Sequence, residues 1–327
     1  MEIRVIDEQL IRELLPPSTC IEVVDQTMRE VSRGNAELPL RRGMKLPNGN
    51  GVLGMMPGYL GAPECFGIKL VSLFPGNHEA GLPSHLGLMV LYEALQGKPI
   101  AILDGNVITG VRTAAASAVA TRALARADAA KLAVLGTGEQ VREHIPAILA
   151  VRDIREIALW GRDHDKATVL AEELSEVHSI PMTASVEVEA AVEDADIICT
   201  VTSTREPILN GAWIPSGAHV NLVGSSVPNA REVDTAAVLR GRFFVDYRPS
   251  TLNQAGELLT AIDEGAVDES YIAGEIGQLL LGEIEGRKSP EEITIYKSLG
   301  IAAQDLAAAW HVYQEAAASG QGQVVQL

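Results

Sequence analysis

The sequence predicts an α/β protein, a Rossmann doubly wound parallel sheet plus an α+β substrate domain. Three observations carry that expectation. Residues Lys131 to Gln140 read KLAVLGTGEQ, an apolar run from Leu132 to Leu135 that feeds Gly136-Thr137-Gly138 and then a segment able to open a helix. Strand-like runs alternate with helical patterns downstream, and parallel neighbours need crossover helices. The glycine loop lies in mid-chain, so the residues before Lys131 must fold into something else.

The elements are read in order. Asp7 to Leu15 and Pro17 to Arg33 carry helical patterns, the second with Ile21, Val24, Met28 and Val31 at helical spacing. Leu38 to Lys45, Gly51 to Met56, Phe66 to Ser72 and Ile100 to Asp104 read as strands broken by Gly and Pro. An alanine-rich helix, Ala114 to Ala127, leads out of this first domain. The nucleotide domain then runs through strands at Leu132–Leu135, Glu156–Trp160, Ile197–Val201, His219–Val223 and Arg242–Asp246, with helical stretches at Lys166–Glu176 and Val186–Val192. Its sheet is expected to be complete by Asp246. Gly300 to Ala318 reads as a helix returning to the first domain, and Ser319 to Leu327 as a loose end.

In the glycine loop, the first glycine permits the tight turn and the second lets the backbone approach a pyrophosphate at a helix N-terminus. Gly136, Thr137, Gly138, Glu139 and Gln140 are therefore candidate cofactor contacts. Position 141 is Val rather than a third glycine, so the loop alone reads equally as an ordinary βα turn. At the end of the second strand an NAD-selective enzyme places an acid for the ribose hydroxyls, whereas this chain has Trp160-Gly161-Arg162. Arg162 suits a 2′-phosphate, so NADP(H) is favoured, with NAD(H) left open. Thr200, Thr202 and Ser203 at the end of the Ile197–Val201 strand, and Val223 and Gly224 at the end of the His219–Val223 strand, are placed to line the crevice at the strands' carboxyl ends.

Composition sets the bounds. The 327-residue chain is 47% hydrophobic and 4% aromatic, which suits an aliphatic α/β protein. Its net charge of -17 offers nothing to neutralise a phosphate backbone, so no nucleic-acid partner is expected. Cys20, Cys65 and Cys199 lie in apolar neighbourhoods without metal-ligand spacing, so a reduced cytoplasmic setting and no metal are expected. No apolar run is long enough for a bilayer, and no membrane partner is expected.

A chain of ordered motifs resembles the ornithine cyclodeaminase/μ-crystallin family. It runs through Pro39-Leu40-Arg41, Met56-Pro57, Lys69, Gly81-Leu82-Pro83-Ser84, Asp104-Gly105, Arg112-Thr113-Ala114-Ala115 and Gly136-Thr137-Gly138. It continues through Val223-Gly224-Ser225-Ser226 and Arg231-Glu232-Val233-Asp234 to Lys297-Ser298-Leu299-Gly300. The resemblance implies an imine-forming or imine-reducing enzyme with a bound nicotinamide nucleotide, working as a homodimer. It also implies that residues 1–115 with 300–327 form a substrate-binding and dimerisation domain, and 116–299 the Rossmann NAD(P)-binding domain. The family includes cyclodeaminases, alanine dehydrogenases, ketimine, pyrroline-carboxylate and iminosuccinate reductases, and thyroid-hormone-binding μ-crystallin.

A 2-imino acid needs its carboxylate fixed, and arginine does this with a planar, bidentate fork. Arg41 and Arg112 match the family positions for that work, Arg112 opening RTAA at the expected start of a helix; a surface ion pair is the ordinary alternative for either. Lys69 shares a strand face with Gly67 and Val71, where solvation is difficult and a lowered pKa suits proton exchange with an imine nitrogen. The matching family lysine contacts substrate carboxylate and is a candidate proton donor; an edge-strand lysine reaching water is the other reading. Cyclodeaminases of the family carry a glutamate where this chain has Gly54 and an acid–base aspartate where it has Ser226. A serine is no general base unaided, so a reductive direction is favoured. Ser226 is read either as a partner of the imine nitrogen or as a turn residue. The expected reaction is hydride transfer from NAD(P)H to a carboxylate-bearing imine to give an amino acid, or its reverse. The alternatives are cyclodeamination of ornithine with recycled NAD, and a μ-crystallin-like small-molecule binding protein.

Overall fold

The computed structural model describes residues 1–83 and 85–326, with backbone alone for residues 78–80. Ser84 of the Gly81-Leu82-Pro83-Ser84 motif and Leu327 of the tail lie outside the described residues. The chain divides into two compact units, Met1–Arg112 with Gly300–Leu327, and Thr113–Leu299.

In the first unit the strands are β1 (Glu2–Ile6), β2 (Ala36–Glu37), β3 (Arg42–Lys45), β4 (Val52–Gly61), β5 (Glu64–Leu73), β6 (His85–Tyr92) and β7 (Pro99–Asp104). Its helices are α1 (Glu8–Leu14), α2 (Pro17–Ser32), the opening turns of α3 (Gly105–Leu124) and α11 (Ala302–Ser319). The sheet order is β16-β1-β7-β6-β5-β4-β2, with β3 also on β4, and β16 is Gln323–Gln326. The tail expected to be loose is thus a strand. It pairs antiparallel with β1, from Glu2 opposite Gln326 to Val5 opposite Gln323, and satisfies backbone groups that an edge would leave open. The stretch from Leu38 to Lys45 is not one strand: β2 and β3 are separated by a segment containing Pro39, which cannot donate to a ladder.

Helix α3 also begins earlier than the sequence suggested. The Asp104 carboxylate accepts from the backbone N–H groups of Asn106 (2.8 Å) and Val107 (3.0 Å), capping the helix there. Gly105 has to be glycine, because a Cβ would come within 2.7 Å of the Gly87 backbone. Arg112 is therefore inside the helix, not at its start.

The second unit contains β8 (Lys131–Leu135), β9 (Glu156–Trp160), β10 (Met182–Ser185), β11 (Ile197–Thr200), β12 (His219–Leu222), β13 (Gly241–Val245), β14 (Ile272–Glu275) and β15 (Ile293–Lys297). Its remaining helices are α4 (Glu139–Leu149), α5 (His164–His178), α6 (Val188–Val192), α7 (Thr235–Arg240), α8 (Arg248–Gln254), α9 (Gly256–Asp263) and α10 (Ile276–Leu280). The all-parallel order is β10-β9-β8-β11-β12-β15-β13-β14. It confirms the doubly wound Rossmann-type sheet, with its switch point between β8 and β11. The sheet is not complete by Asp246, since β15 inserts between β12 and β13 and β14 adds an edge. Burial explains the insertion: Phe243, Phe244 and Tyr296 on these strands are 0% exposed, and each such side chain stabilises by about 1.5–3 kcal/mol.

The three cysteines are buried and unbridged. Among the described residues no helix is long and apolar enough to cross a membrane, and none of their acidic, His and Cys side chains group as a metal cluster.

Candidate active site

In the first unit Lys69 sits on a row that crosses the sheet, Met56–Lys69–Met89–Leu103, and every member is buried. Alternation along β5 turns Lys69 toward the face on which α11 packs. Lys69 is therefore an interior lysine of a central strand, not an edge lysine reaching water. Its Nζ donates to Asp305 Oδ1 on α11 (2.9 Å) and to Thr109 Oγ1 on α3 (3.2 Å). Arg112 reaches the same carboxylate oxygen through Nε (2.8 Å) and gives Nη1 to Gln304 Oε1 (3.0 Å). Arg41, in the segment before β3, donates Nη2 to the Gly300 carbonyl (2.7 Å). Gly300 has φ +72, and a Cβ there would collide with the Arg112 guanidinium.

Lys69 and Arg112 thus meet on one carboxylate that the sequence reading missed, and the charge of Arg41 acts on Lys69 beside them. Burial pushes the Lys69 ammonium down to about 7; Asp305 opposes this, while the charges of Arg112 and Arg41 add to it. Burial works against ionisation of Asp305 too, but Arg112 and Lys69 overcome it and hold its carboxyl below the usual carboxylate range. Asp305 Oδ2 is buried and has no hydrogen-bond partner among the described residues. One carboxylate cannot neutralise the cations gathered here. A buried excess of positive charge with guanidinium forks is a place for a small anion, and a lysine near neutrality can exchange a proton there.

Gly54 lies on the same face of β4 as Met56, opposite Val71. A Cβ at position 54 would stand 2.9 Å from Val71 Cγ1, so an acid at this position requires Val71 to give way.

In the second unit the β8–α4 loop carries Gly136 and Gly138 of the sequence motif. Gly136 adopts φ +146, and a Cβ would stand 2.9 Å from the Val201 carbonyl. Gly138 faces open space and is the N-cap of α4 without a side-chain cap, as at a helix N-terminus that can take a phosphate. Thr137 is half-buried, and a side chain at Gly161 would overlap its methyl group. Glu139 is exposed, while the half-buried Gln140 has an Oε1 without a partner among the described residues. Val141, in place of the third glycine, is fully buried in the helix's packed face. Arg162 is exposed after β9, and Asp163 next to it caps α5 by accepting from Lys166 N–H (3.0 Å).

The loops after β11 and β12 hold a correction. Thr200 is fully buried, and its hydroxyl donates to Glu232 Oε2 (2.7 Å), so it is not available as a direct cofactor contact. Thr202 spends both its N–H (2.7 Å) and hydroxyl (2.8 Å) on Glu232 Oε1, and the Gly224 N–H donates to Oε2 (2.7 Å). Ser203 is exposed, Val223 buried, and Ser226 half-buried just beyond them. The pattern Arg231-Glu232-Val233-Asp234 was visible in the sequence, but nothing in its spacing said that Glu232 turns inward.

Fold and site together define a Rossmann-type α/β protein whose other unit buries a cluster of cations suited to a small carboxylate. The chain belongs to the ornithine cyclodeaminase/mu-crystallin family, whose model matches residues 4–320. It is 32% identical over 317 residues to a Delta(1)-pyrroline-2-carboxylate reductase of Bacillus cereus, covering 97% of each chain. The structure is similar to that of the Thermococcus litoralis Delta(1)-pyrroline-2-carboxylate reductase in complex with NADH and L-proline, with a TM-score of 0.94, 33% identity, and 98% and 99% of the two chains covered. It is also similar to an archaeal alanine dehydrogenase dimer with bound NAD, with a TM-score of 0.93, 28% identity and all of both chains covered.

Proposed function

We propose that this chain reduces a carboxylate-bearing cyclic imine, of which Δ1-pyrroline-2-carboxylate is the leading candidate, to the corresponding amino acid. The enzyme class is an oxidoreductase acting on CH–NH groups with a nicotinamide dinucleotide. The single observation that carries the reading is the buried pair of cations, Lys69 and Arg112, on one oxygen of Asp305, with the half-buried Arg41 adding its charge beside Lys69. In this reading Arg112 and Arg41 clamp the substrate carboxylate, while Lys69, held near neutrality, protonates the imine nitrogen as the carbon is reduced. When bound, the nicotinamide supplies the hydride. The Gly136–Gln140 turn and the N-terminus of α4 would hold the pyrophosphate, with Ser203 and Val223 beside the chain's path and Ser226 offering a hydroxyl. Arg162 supports NADPH over NADH, because its neighbour Asp163 is spent on capping α5 rather than on a ribose.

The same reading assigns the first unit to substrate and subunit contact and the second to the dinucleotide. On the face of the first sheet opposite Lys69, Met55, Leu70 and Leu88 form one apolar row, and Pro57, Ile68, Val90 and Ile102 another. Leu88 is 50% exposed, and we assign this face to a homodimer contact. The buried cysteines, none of them in a disulfide, fit a reducing cytoplasm.

The test is to incubate the protein with NADPH or NADH and Δ1-pyrroline-2-carboxylate, following cofactor oxidation and L-proline formation. Stoichiometric conversion supports the reading. Ammonia release from L-ornithine without added cofactor would overturn it in favour of cyclodeamination, which the missing acids at Gly54 and Ser226 argue against.

A further inference from the structure

A second buried charge cluster belongs to the nucleotide unit. Glu232, Glu257 and Lys297 are each 0% exposed. Lys297, at the end of β15, donates to Glu257 Oε1 (3.1 Å) on α9 and to the Ser225 carbonyl (2.6 Å). The Glu232 N–H donates to Glu257 Oε1 (3.2 Å), which joins the two carboxylates into one network. The Glu232 side chain accepts four hydrogen bonds, from the Thr200 hydroxyl, the Thr202 hydroxyl and N–H, and the Gly224 N–H.

The placement of those donors matters more than their number. Thr200 and Thr202 belong to the carboxyl end of β11, and Gly224 to that of β12. One carboxylate therefore ties together the ends of two neighbouring parallel strands. Both strands belong to the second half of the doubly wound sheet, past the switch point between β8 and β11, whereas the glycine loop belongs to the first half. In such sheets each half receives one end of a dinucleotide at its strands' carboxyl ends. The adenosine end falls to the half carrying the glycine loop and Arg162, which leaves the nicotinamide end to β11 and β12. Gly224 cannot be replaced without disturbing this tie, since a Cβ would overlap the Thr202 carbonyl and stand 2.6 Å from Glu232 Oε1.

We propose that Glu232 is a positioning residue for the nicotinamide end of the cofactor. Through Thr202 and Gly224 it fixes the separation of the loops after β11 and β12, with Lys297 and Glu257 as its buried support. The inference rests on the reading that the chain binds a nicotinamide dinucleotide. It adds that affinity for the nicotinamide end depends on a residue that does not touch it.

Calorimetric titration with NADPH and with 2′-phospho-ADP-ribose, which lacks the nicotinamide, separates positioning from general support of the fold. Glu232→Gln keeps the shape but turns an NH2 group toward N–H and O–H donors. In this variant the dissociation constant for NADPH should rise by about tenfold or more, a loss of the size expected for unsatisfied buried donors, while that for 2′-phospho-ADP-ribose stays within about twofold of wild type. Parallel weakening of both ligands, or no change in either, overturns the proposal. Should Glu232→Gln fail to fold, Thr202→Val carries the same comparison by deleting a single donor, with an expected rise of roughly three- to tenfold for NADPH alone. A wild-type protein that binds neither ligand overturns the dinucleotide reading, and this inference with it. Wild-type binding with parallel losses in the variants overturns this inference only.

Discussion

The two buried charge clusters are built on opposite plans. Around Asp305, cations outnumber acids: Lys69 and Arg112 share one oxygen, Arg41 stands near, and the second oxygen has no partner among the described residues. Around Lys297, acids outnumber cations, yet the oxygens of Glu232 are filled by hydroxyl and backbone donors. Buried charge is costly unless paired and hydrogen-bonded, so the Glu232 carboxylate is satisfied as it stands, while the first cluster sets two cations on one carboxylate oxygen. A buried carboxylate whose oxygens are filled by backbone and hydroxyl donors holds the backbone in place. In the proposed function, the cluster with two cations on one carboxylate oxygen is where an anionic substrate lowers the free energy by arriving.

The comparison breaks most directly at Arg112. Arg112→Ala removes the guanidinium fork and leaves Asp305 with Lys69 alone. Truncating a buried charged partner costs about 2–5 kcal/mol, so kcat/KM for a carboxylate-bearing imine should fall by roughly two to three orders of magnitude, with KM raised. Arg112→Lys, which keeps the charge but loses the fork, should recover only a small part of it. Steady-state kinetics of the two variants suffice. Near-native kinetics for Arg112→Ala would remove the carboxylate clamp from the proposed function.

Asp305 sharpens the same contrast through pH. Because Asp305 raises the Lys69 pKa against burial and the two arginines, Asp305→Asn should move it below its value of about 7. In the proposed function the protonated lysine is the donor in imine reduction, so activity in that direction should decline as pH rises through the Lys69 pKa. In Asp305→Asn the inflection should move to lower pH, with a loss of about tenfold at neutral pH from the smaller protonated fraction and a loosened Arg112. For amino-acid oxidation the sign reverses, since the neutral lysine accepts the proton and activity rises with pH. A profile that keeps its inflection in the variant would show that Lys69 is not the titrating group.

The clusters were also unequally legible in the sequence. Lys69 and Arg112 were visible because a cation in an apolar run is conspicuous one residue at a time, and Arg41 through the family resemblance of Pro39-Leu40-Arg41. Asp305 was not, because its meaning comes from α11 returning to the first unit and facing β5, a contact spanning more than two hundred residues of chain. Glu232 escaped for the same reason: its donors come from two other loops, and only the fold brings them together. Among the strands, β6 was missed because Leu86, Leu88 and Val90 on one face and Met89 and Leu91 on the other give an apolar run without clear alternation. Strands β15 and β16 were missed because each depends on a partner distant in sequence. The Rossmann half was legible through its local grammar of strand, glycine turn and helix, which needs no long-range contact to be recognised.

The smallest expected effect concerns the exposed rim of the nucleotide unit rather than either buried cluster. Arg162 follows β9 in a solvent-facing position, so its interaction with a 2′-phosphate is screened and cannot match that of the buried arginine. Arg162→Ala should weaken NADPH by about five- to tenfold, near the upper range for an exposed charge-assisted contact, and leave NADH within about twofold. If Arg162 sets the proposed preference for NADPH, raising the salt concentration should diminish it in wild type, because an exposed ion pair is screened whereas the Lys69–Arg112–Asp305 cluster is sheltered from solvent. Kd values for both dinucleotides at low and high ionic strength, in wild type and variant, provide the check. A wild-type ratio of NADPH to NADH affinity that is unchanged by Arg162→Ala would show that the selectivity, whichever way it points, is set elsewhere in the β9–α5 turn.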